Sequence, residues 1–310
     1  MKKLTYLMSA LLAVVGISST ASADVALSGS GSLTLSSDGD NNEAILAAGV
    51  AFDLSTTTAN GMTISASGSV SNGSDQLTSS SSEASGAGAG GFDAITFGVG
   101  SASITVGSVE VPNGHGDVGG VASDMTSQGD NGYGSEASFG VNGTIEAAGI
   151  SITTAIGSGS LTLGYVYDNG DQDAAADAGV IGGDAGTATG LSASLPVGNM
   201  TVGVGYTTDG TQTETGASVA MALGAGTVTV GYGAVTADDA NETAIGATYA
   251  TSLDADTSVT VGYQSVKAAA SETMMGIAVS RSLGGGASVF LEAENYATGT
   301  NIGIGTSFSF

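Results

Sequence analysis

The stretch "TVTVGYGAV", at residues 227–235, decides the fold. Side chains alternate between the two faces of a β-strand, so one face of this stretch is an apolar ridge and the other carries threonine and glycine. The ridge consists of Val228, Val230, Tyr232 and Ala234. Similar ridges recur as "LTLGYVY" from Leu161, "TVGVGYT" from Thr201 and "SVTVGYQ" from Ser258. A face that recurs this often needs an apolar covering that is available many times over, and no helix is predicted nearby to supply it.

The composition excludes several classes of protein. With 41% hydrophobic residues the chain of 310 residues is too apolar for a disordered protein, and its 52 glycines follow no three-residue period of the collagen type. A net charge of −25 argues against nucleic-acid binding, because phosphate contacts need Lys and Arg. The absence of Cys excludes a disulfide framework and a thiolate metal site.

Residues 1–23 are predicted to be a signal peptide that is cleaved before Asp24. Two lysines precede an apolar run from Leu4 to Ile17, and Ala21-Ser22-Ala23 supplies the small residues that a signal peptidase requires. An uncleaved membrane anchor is the alternative, but the apolar run is short and the cleavage motif follows it directly. Residues 24–310 are then expected to form one domain.

Strand periodicity and turn residues continue along the rest of the chain. No run of about 20 apolar residues follows the signal, so no transmembrane helix is predicted. Short segments alternate apolar with small polar residues, and very short connectors such as "GAG" at 224–226 take turns with longer acidic ones such as "SDGDNNE" at 37–43. This alternation is typical of an up-and-down barrel in an outer membrane, with tight periplasmic turns and longer outer loops.

We predict sixteen strands between Val25 and Phe310. An even number places both ends of the chain on the same side of the membrane. The segment Glu136 to Thr144 also alternates, and as a separate strand it would give seventeen, so we assign it to the preceding loop or to the next strand. The predicted fold class is all-β: a 16-stranded antiparallel transmembrane β-barrel.

Lipid is the predicted covering of the apolar ridges, and the threonine and glycine faces are predicted to line a water-filled lumen. Hydrocarbon cannot hydrogen-bond a free strand edge, so the sheet must close on itself, and sixteen strands leave an aqueous channel. Four tyrosines lie on the apolar faces, late in their strands, where an aromatic ring with a hydroxyl group suits the boundary between lipid and water. They are Tyr165, Tyr206, Tyr232 and Tyr263. The alternative is a soluble β-sandwich with these tyrosines in its core.

Three stretches are similar to the general porins of alphaproteobacteria: "ADVALSGSGSLTLS" from Ala23, "FGVGSASITVGSVEVPNGHGDVGG" from Phe97 and the terminal "NIGIGTSFSF". This resemblance implies a trimeric barrel in the outer membrane of a Gram-negative bacterium. It also implies that the third outer loop folds inward and narrows the pore, and that the terminal Phe310 is read as a signal by the assembly machinery.

The resemblance places the third outer loop after the fifth strand, from about Val111 to Gly134. Long loops without regular structure are usually functional. The candidate constriction residues are Glu110, Asp117, Asp124 and Asp130, together with His115. Solvated acidic residues that face away from the pore are the alternative for any one of them.

The charge of the chain departs from the family pattern, which sets Lys and Arg opposite the acidic loop. After cleavage, 29 acidic residues face only two basic ones, Lys267 and Arg281, a formal net charge of −27. Lys267 is predicted at a strand end, and Arg281 on the apolar face near a periplasmic turn, where it extends to lipid headgroups. Carboxylates without counter-charges favour cations, so the pore is predicted to be cation-selective.

No enzyme chemistry is predicted. His115 is the only histidine, and a catalytic or metal-binding role needs partners at defined geometry. Asp168, Asp171 and Asp173 in "DNGDQD" offer oxygen ligands for weak Ca²⁺ or Mg²⁺ binding, although the spacing is not that of an EF-hand. No other cofactor is expected.

The predicted function is passive diffusion of ions and small hydrophilic solutes through an outer-membrane channel. The predicted partners are outer-membrane lipid, lipopolysaccharide, cations and two further copies of the chain, with no nucleic acid. A secreted β-rich adhesin or surface-layer protein is the alternative from another class, and a barrel specific for one solute is a third possibility.

Overall fold

The computed structural model describes residues 23–37, 42–71, 75–76, 91–110, 146–166, 187–208, 213–236, 241–267, 272–296 and 299–310. The segment Glu136 to Thr144, whose assignment the sequence leaves ambiguous, lies outside these residues. So does nearly all of the predicted signal peptide, because the described chain begins at Ala23. Cleavage before Asp24 therefore stays a prediction.

The described residues form β-strands joined by short turns. The strands are β1 (Ala23–Ser37), β2 (Asn42–Thr57), β3 (Thr63–Ser71), β4 (Asp75–Gln76), β5 (Gly91–Val99), β6 (Ala102–Glu110), β7 (Glu146–Ile156), β8 (Gly159–Val166), β9 (Ala188–Val197), β10 (Met200–Thr208), β11 (Thr213–Leu223), β12 (Gly226–Thr236), β13 (Asn241–Ser252), β14 (Thr257–Lys267), β15 (Glu272–Gly284), β16 (Ala287–Tyr296) and β17 (Gly299–Ser309). All their pairings are antiparallel.

The strands close into one barrel. Apart from the short β4, each strand pairs with the next along the chain, and β17 pairs with β1, which removes the free sheet edge. The two-residue strand β4 pairs with β2 just beyond the end of the β2–β3 ladder and so continues β3. The barrel therefore has sixteen strands, as predicted. None of the described residues lies in a helix long and apolar enough to cross a membrane.

We call the end of the barrel at which every connection is two to five residues long the turn end, and the opposite end, which carries the longest connections, the loop end. The turn-end connections are residues 58–62, 100–101, 157–158, 198–199, 224–225, 253–256 and 285–286. Gly198 and Gly224 open two of the tightest turns with φ of 64° and 61°, a conformation that favours glycine. Each connection at the loop end includes residues outside the described ranges. The predicted alternation of short and long connectors is confirmed only in part. Residues 77–90, 111–145 and 167–187 are long connectors at the loop end, whereas 38–41, 209–212, 237–240, 268–271 and 297–298 are shorter than the turn-end connection 58–62.

The two faces of β12 lie as predicted. Val230 and Tyr232 point outward, with 42% and 51% of their surface exposed. On the other face Thr229 is half-buried, and Gly231 and Gly233 are buried. Ile304 on β17 is likewise outward, at 56% exposed. The large apolar side chains thus form the exterior of the barrel, which excludes a soluble sandwich with an apolar core.

Four tyrosines form an outer band that we call the tyrosine girdle: Tyr165, Tyr206, Tyr232 and Tyr263. All four are exposed on the exterior, and they occupy alternate strands from β8 to β14 toward the loop end. Their rings can contact acyl chains while their hydroxyls reach water. The predicted placement of these tyrosines is confirmed.

Glycines allow the aromatic rings of the chain end to lie flat on the seam between β17 and β1. Phe310 N donates to Gly29 O at 3.0 Å, and Gly29 N donates to Phe310 O at 2.9 Å. The rings of Phe308 and Phe310 occupy the space that a side chain at Gly31 or Gly29 would need. Aromatic rings over glycines on a neighbouring strand help fix the register.

Candidate functional site

Small hydroxylated side chains line much of the lumen. Three pairs join neighbouring strands on the inner face: Thr96 and Thr105 at 2.9 Å, Thr153 and Thr162 at 3.0 Å, and Ser288 and Ser307 at 2.7 Å between side-chain oxygens. Cross-strand hydroxyl pairs of this kind stabilise a sheet while leaving a hydrophilic surface. The inner wall is therefore hydrophilic in the half of the barrel nearer the turns.

A set of carboxylates also faces the lumen. Along β16, Glu292 and Glu294 alternate with the outward Leu291 and lie on the same face as the lumen residues Gly303 and Asn301 of β17. Glu214 of β11 and Glu242 of β13 flank Val235 of β12 in one cross-strand row. We call the following the lumen carboxylates: Asp24, Asp53, Glu214, Glu242, Glu292 and Glu294. These six are the acidic residues of the strands whose side chains the structure describes.

Lumen-facing side chains are buried toward the loop end of the barrel and exposed toward the turn end. Toward the loop end, Glu214, Glu294 and Glu292 are 0%, 4% and 8% exposed. Lumen-facing apolar residues at the same end of the strands are buried too: Val109, Val166, Val235 and Val266. Nearer the turns, the lumen-facing Thr201 and Thr227 are exposed. The described wall residues of the loop half are therefore buried, whereas those nearer the turns are open to solvent.

Lys267 and Arg281, the basic residues of the described part of the chain, both lie on the exterior. Lys267 is exposed at the loop end of β14, in register with the outward Thr243. Arg281 is 53% exposed on β15; its Nη1 donates to Thr257 Oγ1 at 2.7 Å and lies 3.3 Å from Asp254 Oδ2. The predicted outward position of Arg281 near a turn is confirmed, and neither residue can balance the lumen carboxylates.

Asp254 lies in the turn between β13 and β14, outside the membrane-spanning strands. The backbone N–H of Asp256 donates to its Oδ1 at 2.9 Å. This hydrogen bond, together with the Thr257 hydroxyl and the Arg281 guanidinium, holds the pKa of Asp254 below its usual value. Asp254 is therefore ionised at neutral pH and holds the guanidinium of Arg281 in place.

The predicted constriction residues lie almost entirely beyond the described residues. Glu110 ends β6, where its Cα pairs with that of Glu146, but its side chain lies outside the described set. Asp117, Asp124, Asp130 and His115 are outside it altogether, and so are Asp168, Asp171 and Asp173 of the divalent-ion loop. Their roles stay predictions, as does the role of Phe310 as an assembly signal. Within the described ranges, no cluster of His, Cys, Asp and Glu could hold a metal ion.

The sequence analysis did not predict the lumen carboxylates Glu214, Glu292 and Glu294 as site residues. The signal was present, because Glu292 and Glu294 in "FLEAEN" alternate with Leu291 and Ala293. Glu214 likewise alternates with Thr213 and Thr215 in "TETG" and shares parity with Gly216. Applying the period-two rule to charged residues would have placed all three on the lumen face.

The sequence and the structure were compared with known proteins. A family model described as "Gram-negative porin" matches residues 9–301. A comparison with curated sequences finds no match. Solved structures similar in fold include OmpF of Salmonella typhi in a complex with daunomycin, with a TM-score of 0.70 and 11% identity over 92% of this chain and 97% of that one. A mutant of the Rh. blastica porin has a TM-score of 0.64 and 17% identity over 93% and 100%. The in-vitro folded trimer form of OmpT of Vibrio cholerae has a TM-score of 0.65 and 12% identity over 93% and 100%.

Proposed function

Because the chain belongs to the Gram-negative porin family, we propose that its barrel is a water-filled channel through which ions and small hydrophilic solutes diffuse passively, with a preference for cations. The protein lies in the outer membrane of a Gram-negative bacterium. In this proposal the turn end faces the periplasm, as short connections do in outer-membrane barrels. A closed barrel with an apolar exterior is unlike the solenoid repeat of an adhesin.

The separation of charge across the wall carries the proposed selectivity. The lumen carboxylates lie inside the barrel, whereas Lys267 and Arg281, the only basic residues of the mature sequence, lie outside it. An ion in the lumen therefore meets negative charge on the wall without a nearby fixed positive charge, which attracts cations and repels anions. The effect extends over about one Debye length, roughly 8 Å at physiological ionic strength.

The third outer loop, from about Val111 to Gly134, is proposed to form the constriction. The buried valines of the loop half support this, because an apolar residue that faces a wide aqueous lumen would remain exposed. Val109 is one of them and lies directly before this loop. In this proposal Asp117, Asp124, Asp130 and His115 line the narrow passage, and Glu110 stands at its start.

A homotrimer is proposed as the assembled form. The tyrosine girdle covers alternate strands from β8 to β14, whereas the sequences of β17, β1, β2, β3, β5, β6 and β7 contain no tyrosine. A face without interfacial tyrosines suits contact with protein rather than with the lipid boundary. The similar OmpT of Vibrio cholerae is described as having a trimer form.

Planar bilayers test the proposed channel. Purified protein is expected to insert in steps of three equal conductances, and a KCl gradient is expected to give a reversal potential of the sign that indicates cation preference. Single steps would refute the trimer but leave the channel intact. A reversal potential of the opposite sign would refute the selectivity, and the absence of current after correct folding would refute the channel itself.

A further inference from the structure

Phe290 places an aromatic ring on the lumen wall. It alternates with the outward Leu291 of β16 and so shares the inner face with Glu292. Its cross-strand neighbours, Ser280 of β15 and Gly305 of β17, face the lumen as well. Every other aromatic side chain that the structure describes lies on the exterior of the barrel. Phe290 is therefore an exception on a wall of hydroxyl groups, glycines and carboxylates.

The ring of Phe290 lies against Gly305 and is half-buried. A side chain at Gly305 would collide with the ring, so the glycine lets the ring lie close to the wall and helps to fix the register of β16 and β17. Small residues lie beside the ring on the same face, in its own row and in the two adjacent rows: Ser280, Ala278, Gly303, Ser288 and Ser307. The side of the ring that points away from Gly305 can therefore be reached from the lumen.

The electrostatics around Phe290 favour a positively charged ligand. The face of an aromatic ring carries partial negative charge and attracts cations. Glu292 follows Phe290 on the same face, about 7 Å farther along the strand, and Glu294 lies beyond it toward the loop end. Among the strand side chains that the structure describes, no Lys or Arg faces the lumen, since Lys267 and Arg281 are outward. A cation beside the ring is therefore attracted by both the ring and the carboxylates.

We propose that Phe290 and Glu292 form a weak binding site for organic ammonium cations, with the N-alkyl groups against the ring and the positive charge in the field of the carboxylate. This inference rests on the proposed cation-preferring channel and names a class of solute for it. A quaternary ammonium suits both residues, because its alkyl groups cover the apolar ring while its charge interacts with the π face. A neutral solute of the same shape gains only the apolar contact.

The fluorescence of a single tryptophan tests the site without any current. The native chain has no Trp, so Phe290→Trp carries one fluorophore, and its ring also binds cations. In micelles of a polyoxyethylene detergent, choline is expected to change the emission with saturation, whereas its neutral isostere 3,3-dimethyl-1-butanol should need about fivefold higher concentration. Phe97→Trp, on the outer face of β5, should show no saturable response to choline. Equal half-saturation concentrations for the two solutes at Phe290→Trp, or no saturable response to choline there, would overturn the proposal.

Block of the potassium current tests the native ring. Tetraethylammonium is expected to reduce the K⁺ conductance, and Phe290→Leu, which keeps an apolar side chain without a π face, should raise the half-blocking concentration about threefold. Glu292→Gln should raise it about twofold, as expected for one unit charge about 8 Å away in water. Phe290→Tyr, which keeps the ring, and the outward Phe97→Leu should leave it unchanged.

The two experiments distinguish the site from the channel. An unchanged half-blocking concentration in Phe290→Leu would overturn the site, even if the channel conducts K⁺ as proposed. The absence of K⁺ current in the wild type would instead refute the channel, and the tryptophan titration would still decide whether the ring binds ammonium cations. Heat-modifiable migration in gels confirms that each variant is folded.

Discussion

Replacing Glu214, Glu292 and Glu294 together by glutamine is expected to lower the ratio of K⁺ to Cl⁻ permeability by at least about tenfold at low salt. One unit charge about 8 Å from an ion in water lowers the energy of K⁺ by about 0.5 kcal/mol and raises that of Cl⁻ by the same amount, which is roughly a sixfold change in the ratio for each carboxylate before salt screening. The measurement is the reversal potential across a planar bilayer near 10 mM KCl, where the Debye length is about 30 Å. Glutamine keeps the size and polarity of the side chain, so the pore diameter should be little affected.

Lys267→Gln is the matched control for this change. It also alters the net charge, but the side chain lies on the exterior at the loop end. Its permeability ratio should stay close to that of the wild type. An unchanged ratio in the triple glutamine variant would show that the wall carboxylates do not set the selectivity. The third-loop aspartates, Asp117, Asp124 and Asp130, would then be the groups to replace next.

Val230→Arg is expected to destabilise the barrel by about 2–4 kcal/mol, whereas Thr229→Arg is expected to be tolerated. Val230 is outward in the middle of β12, so the arginine would lie among acyl chains near the bilayer midplane. Thr229, its neighbour in sequence, faces the water-filled lumen. Urea unfolding in lipid vesicles, followed by the loss of heat-modifiable migration, measures the difference.

Thr229→Arg is also expected to change the ion selectivity of the channel, which a substitution on an uninvolved surface would not do. A guanidinium in the lumen adds positive charge to a wall that has none, so cation preference should fall while stability remains. If both arginine variants unfold at the same urea concentration, or if Thr229→Arg is the less stable, the assignment of lipid and lumen faces on β12 is wrong.

The strands could be predicted because their period of two is set locally. In β12 the alternation of valine with threonine fixes which face is apolar, and because the sequence predicts no helix beside it, lipid is the covering expected for that face. Short glycine turns such as the one at Gly224 then fix the pairing of neighbouring strands. Closure follows because hydrocarbon leaves no tolerable free edge.

The candidate site was less predictable for physical reasons. Whether Asp117 or Asp124 faces the pore depends on how the third loop packs against the barrel wall, and no local periodicity encodes that contact. The contacts of Arg281 with Thr257 and Asp254 join residues on neighbouring strands and a turn, so they depend on the register of β14 and β15. The lumen carboxylates, by contrast, are encoded locally, because strand parity alone places their side chains on the inner face.

Cysteine accessibility along β12 tests the central claim most directly: apolar faces meet lipid and the polar faces enclose water. Because the native chain has no Cys, each single variant reports one position. In vesicles, a water-soluble maleimide is expected to react with Thr229→Cys at least about tenfold faster than with Val230→Cys, since the reactive thiolate forms only where water reaches the sulfur. Equal rates at the two positions, or faster reaction at Val230→Cys, would contradict the account.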